Sequence, residues 1–310
     1  MPAIISVKNL SKKFKDINAV DDLSFTVNEG DVYGFLGQNG AGKSTTIRML
    51  LSLIKPTGGN INIFDKNLFT RRNEILKQTG AVIEKPDLYK YLSAYQNLSI
   101  FAKLSGMKVT GDLLMKQLDM VGLAERAHSK VKTFSQGMKQ RLGIAVALVH
   151  SPRLIILDEP TNGLDPQGIA DMRNLILHLS KEMGKTIVVS SHLLSEIELI
   201  ANRIIIINKG KKIVEGNAAE LLDPAKTIVQ IDTVNNADAK NKLAKSNWAP
   251  FVLPSENIIK LQMNKLEIPL LTNDIVNMNI GILSIQPSHS LEDYFLSLTT
   301  QQNYADTVAN

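Results

Sequence analysis

A glycine-rich loop ending in lysine and serine carries the clearest chemical signal in this sequence. Residues 37–45 match the spacing G-x-x-x-x-G-K-S, between an apolar run at 32–36 and a helical pattern at 44–54. Glycines let backbone N–H groups surround an anion, and a helix N-terminus favours negative charge. Lys43 can reach the β- and γ-phosphates of a nucleotide, and the Ser44 hydroxyl can bind Mg²⁺. We predict a nucleotide site formed by Gly37, Gln38, Asn39, Gly40, Ala41, Gly42, Lys43, Ser44 and Thr45.

Two carboxylates follow a second apolar run. Residues 154–157 predict a buried strand, and Asp158 and Glu159 come directly after it. Asp158 would hold Mg²⁺ through water, and Glu159 would orient or deprotonate an attacking water. The alternative is a solvated acidic strand end. A second acid directly after the magnesium acid favours hydrolysis over transfer to another substrate.

A polar helix start precedes this strand. Ser135 and Gly137 stand at the beginning of an apolar-periodic run that extends to residue 149. Such an N-terminus can bind a second anion. Taken alone, the segment reads equally well as an ordinary helix with Ser135 as its N-cap.

In their order along the chain, these motifs resemble those of the ATP-binding subunits of ABC transporters, over roughly residues 1–220. Residues 135–140 resemble the family's signature loop, although its commonest form has Gly where Gln136 stands and Gln where Met138 stands. Gly163-Leu164-Asp165 is similar to its D-loop, and His192 to its switch histidine. Phe14 stands where the family stacks an aromatic ring on adenine. Without the resemblance, His192 would read as a surface or core histidine, and Phe14 as the end of an apolar strand face.

The resemblance implies roles for these residues. ATP and Mg²⁺ are the expected cofactors, with Lys43, Glu159 and His192 as the catalytic residues. The family works as a head-to-tail pair, so a homodimer, or a heterodimer with a like subunit, is expected. Residues implied to contact the nucleotide or its partner site are Phe14, Ser135, Gln136, Gly137, Asp158 and Asp165.

One position departs from the family pattern. Glu84 stands where the family usually has Gln at the end of a strand. A carboxylate can still bind Mg²⁺ through oxygen, but when ionised it cannot donate a hydrogen bond. The same substitution resembles that in bacitracin-resistance and lantibiotic-immunity exporters. We therefore expect Ser44, Asp158 and Glu84 to hold the metal, and Glu84 to couple nucleotide state to a membrane partner. The alternative is a drifted variant without bearing on cargo.

Composition is that of an ordinary folded protein. The chain has 310 residues, 44% hydrophobic residues, a net charge of +5 and no cysteine, which excludes disulfides and thiol catalysis. No stretch approaches the roughly 18 to 20 apolar residues that cross a bilayer, and the N-terminus lacks a signal-peptide core. No motif supports nucleic-acid binding. We expect a cytoplasmic protein, peripheral on the inner face of the cell membrane, with the permease as a separate integral membrane chain.

Alternating strand and helix patterns predict an α/β fold: a P-loop NTPase core with a mostly parallel sheet. Residues 4–10 and 23–27 indicate an antiparallel β subdomain, and residues from about 85 to 150 resemble the family's inserted helical subdomain. A helix is predicted at 193–201. We assign residues 1–220 to the ATP-binding domain.

The remaining residues, 221–310, suggest a small C-terminal α+β domain after a linker at Asp223-Pro224. A last helix is predicted at 290–298. Its segment Leu291-Glu292-Asp293-Tyr294-Phe295 resembles C-terminal extensions of drug and peptide exporters. Packing and dimer support are favoured over ligand sensing as its role.

The leading functional hypothesis is the ATPase subunit of an exporter for an antimicrobial peptide or drug. An ABC ATPase for another cargo, such as an ion, lipid or cofactor, is the first alternative. A soluble ABC-type ATPase acting on ribosomes or DNA is less favoured, because each motif occurs once and no long heptad repeat interrupts them. The last alternative is a nucleotide-gated regulatory module with no transport role.

Overall fold

A computed structural model describes residues 2–221, 227–255 and 257–288, in two units spanning residues 1–217 and 218–310. The strands are β1 (Ala3–Phe14), β2 (Ile17–Asn28), β3 (Val32–Leu36), β4 (Gly58–Ile63), β5 (Lys66–Asn67), β6 (Thr79–Val82), β7 (Leu154–Asp158), β8 (Thr186–Ser191), β9 (Arg203–Asn208), β10 (Lys211–Asn217), β11 (Thr227–Thr233), β12 (Val252–Leu253), β13 (Ile259–Met263) and β14 (Ile282–Ser288). The helices are α1 (Lys43–Leu50), α2 (Arg72–Leu76), α3 (Ala94–Leu104), α4 (Gly111–Met120), α5 (Gln136–Leu148), α6 (Pro166–Lys181), α7 (Leu194–Glu198), α8 (Ala218–Leu221), α9 (Asn236–Leu243) and α10 (Ile268–Asn277).

The first unit is built on a six-stranded sheet with the order β10-β9-β3-β8-β7-β6. Neighbours from β9 to β6 are parallel, and β10 joins the edge antiparallel to β9. Every residue of β3, β7 and β8 is buried, as expected for strands covered on both faces. The predicted mostly parallel core is therefore confirmed. Its parallel arrangement brings the carboxyl ends of β3, β7 and β8 to the same sheet edge.

A second, antiparallel sheet has the order β2-β1-β4-β5, which confirms the β subdomain. Its first two strands are much longer than the predicted segments at 4–10 and 23–27. Pairing continues to Phe14 and Ile17 through bulges, one of them between Val7 and Leu10. The alternation of apolar residues stops earlier because this end of the hairpin is exposed, so backbone pairing alone continues the strands.

Helices α3, α4 and α5 lie between β6 and β7 in the chain, which confirms the predicted helical insertion. Their N-termini are capped by side chains: the hydroxyls of Ser93, Thr110 and Ser135 accept from backbone N–H groups in the first turn. These caps satisfy donors that an isolated helix start would leave unpaired.

Two helices are shorter than predicted. The helix predicted at 44–54 ends at Leu50, because Ser52 takes a left-handed backbone with φ 55°. The helix predicted at 193–201 covers Leu194–Glu198, after which the chain turns to enter β9. No helix within the described ranges is both long and apolar enough to cross a membrane.

The second unit has an antiparallel sheet with the order β12-β13-β11-β14 and its own hydrophobic core. Alternate residues of β11 are buried, as one covered face requires. Leu243 of α9 and Leu271 and Ile275 of α10 belong to the core, as does Trp248, whose indole N–H donates to Asp274 at 2.9 Å. The α+β class is confirmed. The predicted linker at Asp223-Pro224, the helix at 290–298 and the segment from Leu291 to Phe295 lie outside the described residues.

Candidate active site

The predicted phosphate loop connects β3 to α1. Gly42 has φ 106°, and a Cβ atom there would lie 2.5 Å from the carbonyl oxygen of Ala19. Only glycine fits this position without strain. The Lys43 ammonium is buried and donates to the carbonyl oxygens of Gly37 at 2.7 Å and Gln38 at 3.3 Å. The lysine is thereby folded back over its own loop.

Asp158, at the end of β7, is fully buried and lies beside the start of α1. Its Oδ1 accepts from the hydroxyls of Ser44 at 3.3 Å and Ser190 at 2.5 Å. Its Oδ2 is buried without a hydrogen-bond partner. A buried carboxylate oxygen without a donor is costly unless a cation or water satisfies it.

This oxygen and the Ser44 hydroxyl fit Mg²⁺. The ion takes oxygen ligands and is usually held by one or two carboxylates together with waters and substrate phosphates. In residues 2–221, 227–255 and 257–288, no group of three or more His, Cys, Asp or Glu side chains could hold a metal. A magnesium ion here would therefore depend on the nucleotide for part of its coordination.

Glu159 follows Asp158 in a left-handed backbone conformation, with φ 49°. Its N–H donates to the Ser190 hydroxyl at 2.9 Å. Its carboxylate makes two contacts: Oε1 is 3.2 Å from the Lys43 ammonium, and Oε2 is 2.7 Å from Nδ1 of His192. The structure thus brings together the three predicted catalytic residues.

These contacts lie in a cleft of about 1020 Å³. Eleven of the predicted site residues line it, from the phosphate loop, the starts of α1 and α5, and the turns after β6, β7 and β8: Gln38, Asn39, Gly40, Gly42, Lys43, Ser44, Thr45, Glu84, Gln136, Glu159 and His192. Phe14, Gly37, Ala41, Ser135, Gly137, Asp158 and Asp165 are not among its lining residues. The sequence did not point to Ala19 and Asn162, which also line the cleft.

The family model described as "ABC transporter" matches residues 20–162, which contain the phosphate loop and both acids. The bacitracin transport ATP-binding protein BcrA of Bacillus licheniformis is 42% identical over 300 residues, which cover 96% of this chain and 98% of that protein. This chain belongs to the ABC transporter ATP-binding proteins. It is therefore an ABC ATPase that hydrolyses ATP to power transport, as the sequence predicted.

Two solved structures place the fold among ABC cassettes. The structure of cbiO1 from Clostridium perfringens, part of the ABC transporter complex cbiONQ, is 27% identical, has a TM-score of 0.65, and covers 80% of this chain and 96% of its own. The dimeric ATP-binding cassette MJ0796, bound to ADP and Pi, is 27% identical, has a TM-score of 0.63, and covers 69% of this chain and 98% of its own. ABC cassettes thus form dimers and belong to transporter complexes.

Within this ABC ATPase, Phe14 lies at the exposed end of β1. The Lys12 ammonium lies 4.8 Å from the centre of its ring. Ala19, on the next strand of the same hairpin, lines the cleft. An exposed aromatic ring on a cleft-side hairpin is available for stacking on a base, so adenine stacking remains the prediction for Phe14.

Glu84 lines the cleft and also has a left-handed backbone, with φ 54°. Its carboxylate forms an ion pair with the guanidinium of Arg48. Arg48 lies one helical turn after Ser44 on α1, so the two side chains project from the same helix face. The acid that departs from the family pattern therefore has a cationic partner that sequence reasoning did not identify.

Ser135 and Asp165 both act as helix caps. The Ser135 hydroxyl accepts from the N–H of Met138 at 3.2 Å, and Asp165 Oδ1 accepts from the N–H of Gly168 at 3.0 Å. Gln136, the first residue of α5, lines the cleft. The capping interpretation of Ser135 is thus correct, and its predicted role across a dimer remains a prediction.

Proposed function

We propose that this ABC ATPase drives export of an antimicrobial peptide or drug through a separate membrane permease, working as a dimer at the cytoplasmic membrane face. Similarity to the bacitracin transport protein across nearly the whole length, including both units, supports this cargo class. The contact set of Lys43, Glu159 and His192 beside Asp158 is the observation that carries the hydrolytic part.

The residues divide the chemistry of ATP hydrolysis among them. Lys43 exchanges its contact with Glu159 for the β- and γ-phosphates, which leaves the Glu159 carboxylate available to a water molecule. One water proton passes to Glu159 while the water oxygen bonds to the γ-phosphorus, and the β–γ bridging oxygen leaves with ADP. His192, hydrogen-bonded to Glu159, steadies the γ-phosphate.

Ser44, Asp158 and Glu84 are the proposed magnesium ligands. Bound Mg²⁺ would neutralise charge on the phosphates. Glu84 would have to share its carboxylate between the metal and Arg48, and this exchange is the proposed link between nucleotide state and the permease. If Glu84→Gln leaves both ATP turnover and peptide resistance unchanged, the coupling role is wrong.

A second subunit would complete the site. Phe14 would stack on adenine, while the partner copy would present the N-terminus of α5, with Ser135, Gln136 and Gly137, to the γ-phosphate. Asp165 would link the two sites. Dimerisation of the related cassette bound to ADP and Pi supports this arrangement.

The helical insertion is the proposed contact for the permease. It exposes large apolar side chains: Tyr89 is 53% exposed, Tyr91 81% and Leu104 74%. Tyr89 packs on Phe101 with ring centres 6.2 Å apart. Exposed aromatic residues are enriched at the centres of protein interfaces.

Three experiments test the proposal. Glu159→Gln should reduce ATP turnover by about 10² or more and trap an ATP-bound dimer on size-exclusion chromatography. Near-normal turnover would refute the role of Glu159.

Affinity purification from membranes should recover a multi-spanning permease, and Tyr91→Ser should lose it while retaining ATP binding. Leu266→Ser, which removes an exposed apolar side chain from the second unit, is the matched control. A deletion strain with unchanged sensitivity to peptides and drugs would exclude the proposed cargo class.

A further inference from the structure

Ser190 is a fully buried residue whose hydroxyl contacts the carboxylate of Asp158 and the backbone N–H of Glu159. It lies near the end of β8 and follows three apolar residues of that strand, at positions 187–189. Its Oγ donates to Asp158 Oδ1 at 2.5 Å and accepts from the N–H of Glu159 at 2.9 Å. A serine hydroxyl has one hydrogen to donate and lone pairs to accept, so both bonds form together.

The first bond determines which oxygen of Asp158 is free. Oδ1 accepts hydrogen bonds from the hydroxyls of Ser190 and Ser44, whereas Oδ2 is buried without a hydrogen-bond partner. The serine therefore fixes the rotation of the carboxylate and leaves one oxygen for a cation. Groups that hold a metal ligand in this way commonly contribute as much as tenfold to a hundredfold in metal affinity or activity.

The second bond holds the backbone of Glu159. This residue has φ 49°, a left-handed backbone conformation that costs energy for any residue other than glycine. Its N–H is held by the hydroxyl of Ser190 and, at 3.2 Å, by the carbonyl oxygen of the same residue. From this backbone position, the carboxylate reaches both Lys43 and His192.

We propose that Ser190 is a positioning residue for hydrolysis: one hydroxyl aims the free oxygen of Asp158 at Mg²⁺ and fixes the backbone from which Glu159 activates water. The inference rests on the roles given to Asp158 and Glu159 in the proposed function. It adds a residue that acts through its contacts with Asp158 and Glu159.

The chain provides a matched control in the next residue. Ser191 is equally buried on the same strand, but its Oγ accepts from the N–H of Leu193 at 2.9 Å and donates to the carbonyl oxygen of the same residue at 3.5 Å. Ser190→Ala and Ser191→Ala remove the same atom from neighbouring buried sites. Ser190→Cys keeps the side-chain size with a weaker donor.

The first measurement is binding of a fluorescent ATP analogue to full-length protein, in EDTA and across a Mg²⁺ titration. Ser190→Ala should raise the Mg²⁺ concentration at half-saturation about 10- to 100-fold, while analogue affinity in EDTA changes less than about twofold. Ser191→Ala should leave both values at those of the unsubstituted protein. A general loss of folding would weaken binding in both conditions.

The second measurement is kcat at saturating Mg²⁺, which should still fall in Ser190→Ala because the N–H of Glu159 loses its hydroxyl acceptor and keeps only the longer bond to the carbonyl oxygen of residue 190. If Ser190→Ala does not fold, Ser190→Cys carries the test, with a smaller rise in the Mg²⁺ half-saturation. A folded Ser190 variant that matches Ser191→Ala in both measurements would overturn the proposal. If the unsubstituted protein neither binds nor hydrolyses ATP, the proposed function fails instead.

Discussion

The ion pair between Lys43 and Glu159 predicts that the nucleotide-free protein depends on its own catalytic acid for stability. The two side chains are 5% and 14% exposed and approach to 3.2 Å. Glu159→Gln removes the negative charge and leaves a buried ammonium without its counter-ion. Breaking a buried pair in this way commonly costs about 3 to 5 kcal/mol.

Lys43 keeps its two carbonyl acceptors, so we expect the lower end, about 3 kcal/mol. For a unit of this size each kcal/mol lowers Tm by roughly 2 to 4 °C, which gives a fall of about 6 to 12 °C. ATP phosphates supply the missing negative charge. The difference in Tm between Glu159→Gln and unsubstituted protein should therefore shrink when ATP is added in EDTA, and ATP should bind the variant more tightly.

Thermal unfolding followed by circular dichroism, with and without ATP in EDTA, measures both effects. Glu84→Gln is the control, because it removes an acid from the same cleft whose ion pair is largely exposed. Such a pair contributes about 0 to 1 kcal/mol, so Tm should change by no more than about 4 °C. An unchanged Tm for Glu159→Gln, or a fall that ATP does not reverse, would refute the counter-ion reasoning.

Three further predictions concern contacts around the site and in the core. In a double-mutant cycle of ATP-analogue binding in Mg²⁺, Arg48→Gln and Glu84→Gln should couple by about 0.2 to 1 kcal/mol; additive effects would show that the ion pair has no part in binding. Burial, and then the nearby charge of Glu215, raise the pKa of Tyr33 well above its ordinary value, so the folded protein keeps a phenol proton that the unfolded chain releases from about pH 10. Stability in urea should therefore fall as pH rises above about 10, and Tyr33→Phe should reduce this fall; equal alkaline slopes would contradict it. Gly143→Ala would place a Cβ atom 2.5 Å from Cγ of Pro86, just after Glu84, and should cost about 1 to 3 kcal/mol in urea unfolding, whereas Gly111→Ala, with 3.6 Å to its nearest neighbour, should cost less.

Much of the fold and the central site could be predicted from the sequence, because their signals are local. The phosphate loop, Asp158 and Glu159 follow directly after apolar strands, and parallel strands place such residues at one sheet edge. His192 was placed by family resemblance, and the structure brings it to Glu159.

Other features depend on contacts between distant segments. The pairing of Glu84 with Arg48 needs the left-handed turn at Glu84 and the approach of this turn to α1, which no helix or strand pattern reveals. Ser190 gave one available signal, a polar residue near the end of an apolar strand, but its partners lie at the end of β7 and directly after it. The hairpin beyond Leu10 lacks apolar alternation, so its length could not be read.

Two hydrophobic cores within the described residues have no residue in common: the larger of these two draws on residues 4 to 207, and the smaller on residues 229 to 280. A chain shortened after Asn217 would retain every side chain of the larger core. Scanning calorimetry of the unshortened protein should therefore show separate unfolding transitions for the two cores. Evolution can likewise change or replace the smaller core without altering a side chain of the larger core.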